Sequence, residues 1–508
     1  MNVPASLAPA PASSRWPTHR AAIDIGSNSF RLEIGQLQGG RYRRVDYLKE
    51  TVRLGAGLDA QGMLTEEASQ RGLTCLARFA TRLKGYGAPQ VRAVATQTLR
   101  EARNRNHFLL RAQAVLGHEI EVISGREEAR LIYAGVSRLQ PSQRQRLVID
   151  IGGRSTEMIL GLGTQALRAE SFQVGSVSLS LRYFAEGRFT EEAFRGAQIA
   201  AGAELEEALE PFAATHWEEA LGSSGTVGAV SHVLSANGIT DGAITPDALR
   251  WLMKECLRAG SVDKLALAGM KDDRRAVVGG GVSILYTLAT HFGIEVLQPA
   301  RGALRQGVIF DLDERLAADQ QIEGHDARDG AVAELQQRFG VDVQQAARVA
   351  QVAGAFFEQV QPKADREAQR ALQWAAALHE MGMMVSHHDH HRHSAYLMSH
   401  VDAAGFSQSQ QRVLGDLLLA QRGGLRKSEP ALADATFAWQ ALCLRLAVIK
   451  CHARRPINSQ MLELRAQRQT ARLRYPIEWA ERNPRTVHLL REEVEAWAKV
   501  NALVLALP

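Results

Sequence analysis

A short pattern occurs twice in this chain and limits its possible folds more than any other feature. Asp24-Ile-Gly-Ser-Asn-Ser29 returns as Asp150-Ile-Gly-Gly-Arg-Ser155. Each copy follows an apolar run, Ala21-Ala22-Ile23 or Leu147-Val148-Ile149. Each precedes a second strand-like segment, Phe30-Arg-Leu-Glu-Ile34 or Thr156-Glu-Met-Ile-Leu160. An Asp at a strand end, then small residues and a hydroxyl, predicts a tight hairpin whose backbone N–H groups face an anion. Two such hairpins predict two related domains facing each other across a cleft, with a phosphate chain as the natural occupant.

The chain has 508 residues, room for roughly three domains at about 150 residues each. With 45% apolar residues it can bury a full core. Lys plus Arg exceed Asp plus Glu, 60 against 55, a mild excess that favours polyanionic partners. Cys75, Cys256, Cys443 and Cys451 are scattered without a CxxC spacing and read as buried or free thiols of a reducing cytoplasm. No apolar run is long enough to span a bilayer, so no membrane partner is expected. Residues 1–19 hold Pro4, Pro9, Pro11 and Pro17, with Arg15 the first charge, and read as a short disordered tail lacking the basic start of a secretory signal.

Residues 20–135 alternate strand and helix patterns. Phe30, Leu32 and Ile34 point one way and Arg31 and Glu33 the other, as in a half-buried strand. A helix is predicted over Thr65–Phe79, a buried strand over Val91–Ala95, and a helix start over Thr96–Arg103. Ser124-Gly-Arg-Glu127 reads as a capping box, with Glu127 as the capping partner, opening a helix through Tyr133. Residues 136–312 restart the pattern. Gly222-Ser-Ser-Gly-Thr-Val-Gly228 is a turn into a helix, and Gly279-Gly-Gly281 reads as another glycine turn before a helix. The charged stretch 313–329 is the best linker candidate. Residues 330–508 read as a separate all-α domain, with helical spacing over Arg370–Met384, Gln410–Ala420 and Trp439–Lys450.

Five segments in this order and spacing resemble the exopolyphosphatase and guanosine pentaphosphate phosphatase (Ppx/GppA) family. They are Asp24–Phe30, Ala95-Thr-Gln-Thr-Leu-Arg-Glu-Ala-Arg103, Ile123–Arg130, Asp150–Glu157 and Gly222–Thr226, and the likeness extends to His391-Arg-His-Ser-Ala-Tyr396. The resemblance implies an α/β chain of two actin-like, RNase-H-type (ASKHA) domains around a cleft. An all-α domain related to the HD phosphohydrolases would follow. It implies hydrolysis of terminal phosphoanhydrides with Mg²⁺, on inorganic polyphosphate or on guanosine pentaphosphate (pppGpp). It also implies a homodimer and no specific nucleic-acid partner.

Such chemistry needs backbone donors for phosphate oxygens, a cation over the charge and an oriented water. The loops supply donors through Asp24, Gly26, Ser27, Asn28 and Ser29, and through Gly152, Gly153, Arg154 and Ser155. The Gly222, Ser223, Ser224, Gly225, Thr226 turn resembles the adenosine loop of actin-like ATPases and would here meet phosphates or a guanosine. By resemblance Glu128 is the catalytic acid that positions or deprotonates water, and Arg100 grips a phosphate oxygen bidentately. Asp150, Glu157 and Glu128 are the expected metal ligands.

Arg154 departs from the family's usual Gly. If that position requires φ above zero, Arg is strained there by about 1 kcal/mol or more. Arg154 therefore either clamps a phosphate or points outward and strains the turn. In the helical part, His379-Glu380 sits where HD hydrolases carry a metal-binding His-Asp, within a cluster of His387, His388, His390, His391, His393 and His400. Arg348 and Val448 stand where two further ligands are required, so this site reads as degenerate. The basic residues Arg422, Arg426, Lys427, Lys450, Arg454 and Arg455 form either a solvated face or the lining of a polymer channel. Two readings of other classes stand beside hydrolysis: a sugar-kinase-like or chaperone-like ATP-dependent protein, and a non-catalytic polyphosphate or nucleotide sensor.

Overall fold

The computed structural model describes residues 18–319, 326–456 and 462–508. The chain divides into two units, Met1–Gly324 and His325–Pro508. The tail expected over residues 1–19 lies outside the described residues up to residue 17, and His19 already belongs to the first strand.

The first unit holds two five-stranded sheets of identical topology. In the first, β1 (His19–Ile25), β2 (Ser29–Gln38), β3 (Arg41–Thr51), β4 (Val91–Ala95) and β5 (Ile120–Val122) run in the order β3-β2-β1-β4-β5. The β1–β2 and β2–β3 pairs are antiparallel, whereas β1–β4 and β4–β5 are parallel. In the second, β6 (Gln145–Ile151), β7 (Thr156–Leu162), β8 (Gln165–Phe172), β9 (Glu219–Ser223) and β10 (Leu297–Pro299) repeat that order and polarity. This is the RNase-H-type, actin-like arrangement, built twice. In each sheet the middle of the central strand, Ala21–Ile23 or Leu147–Ile149, is apolar and buried because both of its faces are covered.

The two sheets share one layer. The helices Gly125–Leu139 and Leu304–Asp319 pack on each other, and Leu131, Ile132, Val308 and Ile309 join Ala22 and Val94 of one sheet to Val148, Ile159 and Leu221 of the other in one core. The boundary expected at 135/136 therefore falls inside a helix. The expected linker over 313–329 is also corrected: 313–319 finish the shared helix, and 327–329 begin the helix Ala327–Arg338. Its charges mislead because several are buried in pairs. Asp311 accepts from Arg92 at 2.6 Å, Arg130 at 2.5 Å and Arg315 at 2.6 Å. Glu33, expected on a solvated face, is 0% exposed. Arg305 at 3.1 Å and Gln306 at 2.6 Å, with the Tyr42 hydroxyl, saturate its carboxylate.

Elsewhere two helices start within a residue of where the sequence pattern places them. Thr65 caps Glu66–Arg82, and Ser124 caps Gly125–Leu139. Glu127 is not a surface capping partner. Its buried carboxylate is held by Arg130 at 2.7 and 2.8 Å. The Gly279–Gly281 cluster is inside the helix Val278–His291 rather than before it. A Cβ at Gly280 would lie 2.5 Å from the Ser176 carbonyl, so glycine there permits close helix packing.

The second unit packs helices, among them Val343–Val360, Arg366–Leu378, Gln408–Ala420 and Ala435–Cys451, around a separate core. It is not all-α: β11 (Glu463–Gln467), β12 (Thr470–Arg474) and β13 (Val504–Ala506) form a small sheet. Short alternations such as Leu464–Ala466 or Ala471–Leu473 are too brief to declare a strand against a helical background. All four cysteines are buried and unbridged. Among the described residues no helix is long and apolar enough to cross a membrane.

Burial alone would raise the Asp311 carboxyl, but Arg315, Arg130 and Arg92 outweigh it and hold the group well below the usual carboxylate range. Asp311→Asn leaves three buried guanidinium groups short of a counter-ion and should cost about 3–5 kcal/mol at pH 7, read from urea unfolding. A depressed pKa stabilises above the unfolded value of about 3.9 and is lost as pH falls further, so the gap between variant and wild type should persist down to about pH 4 and narrow below it.

Candidate active site

The repeated hairpins end at one cavity of about 80 Å³. A Cβ at Gly26 would lie 3.0 Å from the Ser29 carbonyl, and one at Gly152 would lie 3.1 Å from the Ser155 carbonyl, so both turns are equally tight. The loops touch: a Cβ at Gly153 would sit 3.1 Å from the Ser27 Cβ and 3.5 Å from the Asn28 nitrogen. Asp24, Gly26, Ser27, Asn28 and Ser29 line one wall, and Asp150, Gly152, Gly153 and Ser155 line the facing one. Two helices, Ser176–Tyr183 and Gly225–Ala236, begin at this cavity, the second capped by Ser224. Their first turns bring partial positive charge, which suits an anion.

The Gly222–Thr226 turn contributes only its second half. Ser224, Gly225 and Thr226 line the cavity, whereas Gly222 packs against Val227 and Leu297 at the end of β9. The Ser223 hydroxyl donates to the Gly302 carbonyl at 3.0 Å.

Glu128 follows the capped first turn of its helix and enters the cavity. Arg100 does not line it. Its guanidinium donates to the Glu128 Oε2 at 2.8 Å, to the Ile123 carbonyl at 3.0 Å, and to the Gln97 Oε1 at 2.9 and 2.6 Å. Arg100 thus grips the acid rather than an open phosphate site. Glu157 pairs with Asp150 across β6–β7 and is buried beneath the loop, accepting from the Ser171 hydroxyl at 2.8 Å.

Arg154 is neither strained nor outward. Among the described residues, positive φ values do not occur in either loop. Its side chain leaves the cavity lining and reaches Glu101 at 2.9 and 2.6 Å, with the Gly55 carbonyl at 3.3 Å.

Negative charge accumulates here. Burial pushes the Asp150 carboxyl up to about 7; the Ser223 hydroxyl and Arg31 oppose the rise, while Glu128 and Asp24 add to it. Burial raises Glu128 despite Arg100, and raises Glu157 further with Glu128 and Asp150 beside it. Among the described residues no three carboxylate, imidazole or thiol groups converge closely enough to grip a bare metal ion. In the helical unit, the His379 Nδ1 is hydrogen-bonded to the Ala376 carbonyl at 2.7 Å, and Arg454 occupies Glu380 at 2.6 Å.

Sequence reasoning missed the cations. Arg31 and Arg274 both line the cavity. Arg31 stands 3.5 Å from Asp24 and would lie 3.1 Å from a Cβ at Gly225, so it bridges the walls. Burial, then the neighbouring Arg31, depresses Arg274, whose Nε stands 3.9 Å from the Asp273 carboxylate. Behind Asp24, Arg305 stacks on Tyr47, and its Nη1, which makes no hydrogen bond, stands 3.9 Å from the Asp24 Oδ2. Aligning the two hairpins would have exposed Arg31, which pairs with Asp24 where Glu157 pairs with Asp150. Arg274 comes from the short helix Asp272–Arg275, and no motif marks it.

Residues 34–316 match the Ppx/GppA phosphatase family, and residues 327–494 match Ppx/GppA phosphatase domain III. The chain belongs to the Ppx/GppA phosphatase family. It is thereby a member of a hydrolase family. Among solved structures it is similar to an exopolyphosphatase from Cytophaga hutchinsonii, at 25% identity over 58% of this chain and 98% of that one, with a TM-score of 0.53. An exopolyphosphatase-like protein matches at 25% identity over 59% and 98%, TM-score 0.53. The Ppx/GppA member of Aquifex aeolicus matches at 25% identity over 59% and 98%, TM-score 0.49.

A charge-assisted hydrogen bond to phosphate is worth about 1.5–3 kcal/mol. Arg31→Ala and Arg274→Ala should therefore each raise KM for an anionic phosphoanhydride about 10–100-fold. The initial rate of orthophosphate release, measured against substrate concentration, checks this; an unchanged KM would place both cations outside the binding path.

Proposed function

We propose that this protein is an exopolyphosphatase that hydrolyses the terminal phosphoanhydride of inorganic polyphosphate and releases orthophosphate. The observation that carries the reading is the meeting of two phosphate loops around a cavity whose acid, Glu128, is held from behind by Arg100. One solved relative at a TM-score above 0.5 is an exopolyphosphatase. Among the described residues the cavity lining is built mainly of small, hydroxyl and charged side chains, which suits the end of a phosphate chain.

The chain's residues divide the work. Backbone N–H groups of the two loops, with Arg31 and Arg274, hold the terminal phosphoryl oxygens. The Glu128 carboxylate accepts a proton from water, whose oxygen bonds to the terminal phosphorus. The bridging P–O bond breaks, orthophosphate leaves, and the shortened chain keeps the electron pair. Asp150 and Glu128, with Asp24 opposite, line the cavity as hard oxygen donors that a divalent cation would meet, while Glu157, buried behind Asp150, adds negative charge without reaching the cavity. Their spread suits a magnesium ion that retains several waters. When bound, that ion supplies neutralisation of charge on the phosphate oxygens.

The same preparation, given long-chain polyphosphate or pppGpp with Mg²⁺, tests the substrate. We expect kcat/KM at least about tenfold higher for polyphosphate; the opposite ratio makes the protein a pppGpp phosphohydrolase, and binding without release makes it a sensor. Asp150→Asn should abolish release, whereas His379→Gln in the helical unit should retain most of it. Turnover that depends on a metal held by His379 and Glu380 would reverse this assignment.

A further inference from the structure

The substitution that breaks the loop pattern, Arg154, starts a continuous chain of hydrogen bonds that ends on Glu128. Arg154 belongs to the second sheet's loop, and its Nε and Nη2 donate to the Glu101 Oε2 at 2.9 and 2.6 Å. Glu101 ends the helix Gln97–Glu101, which follows β4 of the first sheet. The other oxygen of Glu101 accepts from the Gln97 Nε2 at 2.7 Å. That bond fixes the amide so that its Oε1 faces Arg100, where it accepts from Nε at 2.9 Å and Nη2 at 2.6 Å. The remaining nitrogen of Arg100 is thereby aimed at Glu128, 2.8 Å away.

The chemistry of each member matters. An amide has a donor end and an acceptor end. The Glu101 carboxylate keeps the Gln97 NH₂ on its own side and away from Arg100, where two donors would repel. Glu101 in turn is held by Arg154, whose side chain packs over Gly55 closely enough that a Cβ there would lie 2.9 Å from its Cδ. As a stability element the pair is weak, because the two side chains are 23% and 28% exposed and solvent screens them. Its effect is geometric.

We propose that Arg154 is a positioning residue: clasped to Glu101 across the cleft, it orients Gln97 and Arg100 and so holds Glu128 in line for the attacking water. This rests on the reading of Glu128 as the acid of a phosphoanhydride hydrolase. It replaces the role of phosphate clamp for Arg154.

The test uses the full chain with long polyphosphate and Mg²⁺. Arg154→Ala and Gln97→Leu should each lower kcat about tenfold, since small displacements of a reacting group are costly, and leave KM within about twofold. The double variant should be no slower than the worse single, as expected of one connected chain. An Arg154→Ala enzyme with raised KM and normal kcat would be a lost phosphate clamp, and additive losses or no loss would equally overturn the proposal. If the wild-type protein releases phosphate from no phosphoanhydride, the functional reading fails by itself. The clasp is then judged by amide hydrogen exchange. Arg154→Ala should accelerate exchange over residues 97–101 and 123–128, and unchanged protection there overturns it.

Discussion

Asp311 and its three arginines fix the layer on which everything else is mounted. Arg130, one of them, lies two residues beyond Glu128 on the same helix, so the pair that buries Asp311 also sets the height and rotation of the acid. Arg92 comes from β4, at the base of the segment that carries Arg100. A single carboxylate thus ties the shared helices to the first sheet. Buried ion pairs of this kind are weak sources of net stability, since desolvation cancels much of the attraction. What they provide is a geometry that is expensive to leave.

Above that layer the cavity concentrates charge of both signs and pairs only part of it, Arg31 with Asp24 and Arg100 with Glu128. Asp24, Glu128, Asp150 and Glu157 influence one another electrostatically, while Arg31 and Arg274 crowd together at the same cavity. A polyphosphate end and a hydrated cation would satisfy both sets together. Buried carboxylates with raised pKa values beside guanidinium groups are costly to a protein that does not use them, and such sites recur where chemistry is done.

Much of this was legible from residues alone, because the doubled hairpin has a local cause. The Asp, the small turn residues and the apolar run before them act within one short segment, so both loops, both central strands and the facing of the sheets follow from the pattern. Ser124 was readable as a cap for the same reason. What could not be read depends on partners distant in the chain. Arg274 reaches the cavity from a segment without periodicity. Glu33 seemed to face solvent because its partner Arg305 lies far away in sequence. Arg154 seemed to threaten its own turn, although the turn uses no positive φ and Glu101 receives it. In the helical unit the small sheet escaped notice because its strands alternate over too few residues.

The central claim is that Glu128 activates water for a phosphate chain held by the two loops. The most direct measurement compares polyphosphate binding with single-turnover orthophosphate release in Glu128→Gln, a variant that keeps the shape and removes the basic oxygen. We expect binding within about threefold of wild type and release slowed about 10²-fold or more. Near-normal release from a folded Glu128→Gln protein would contradict it.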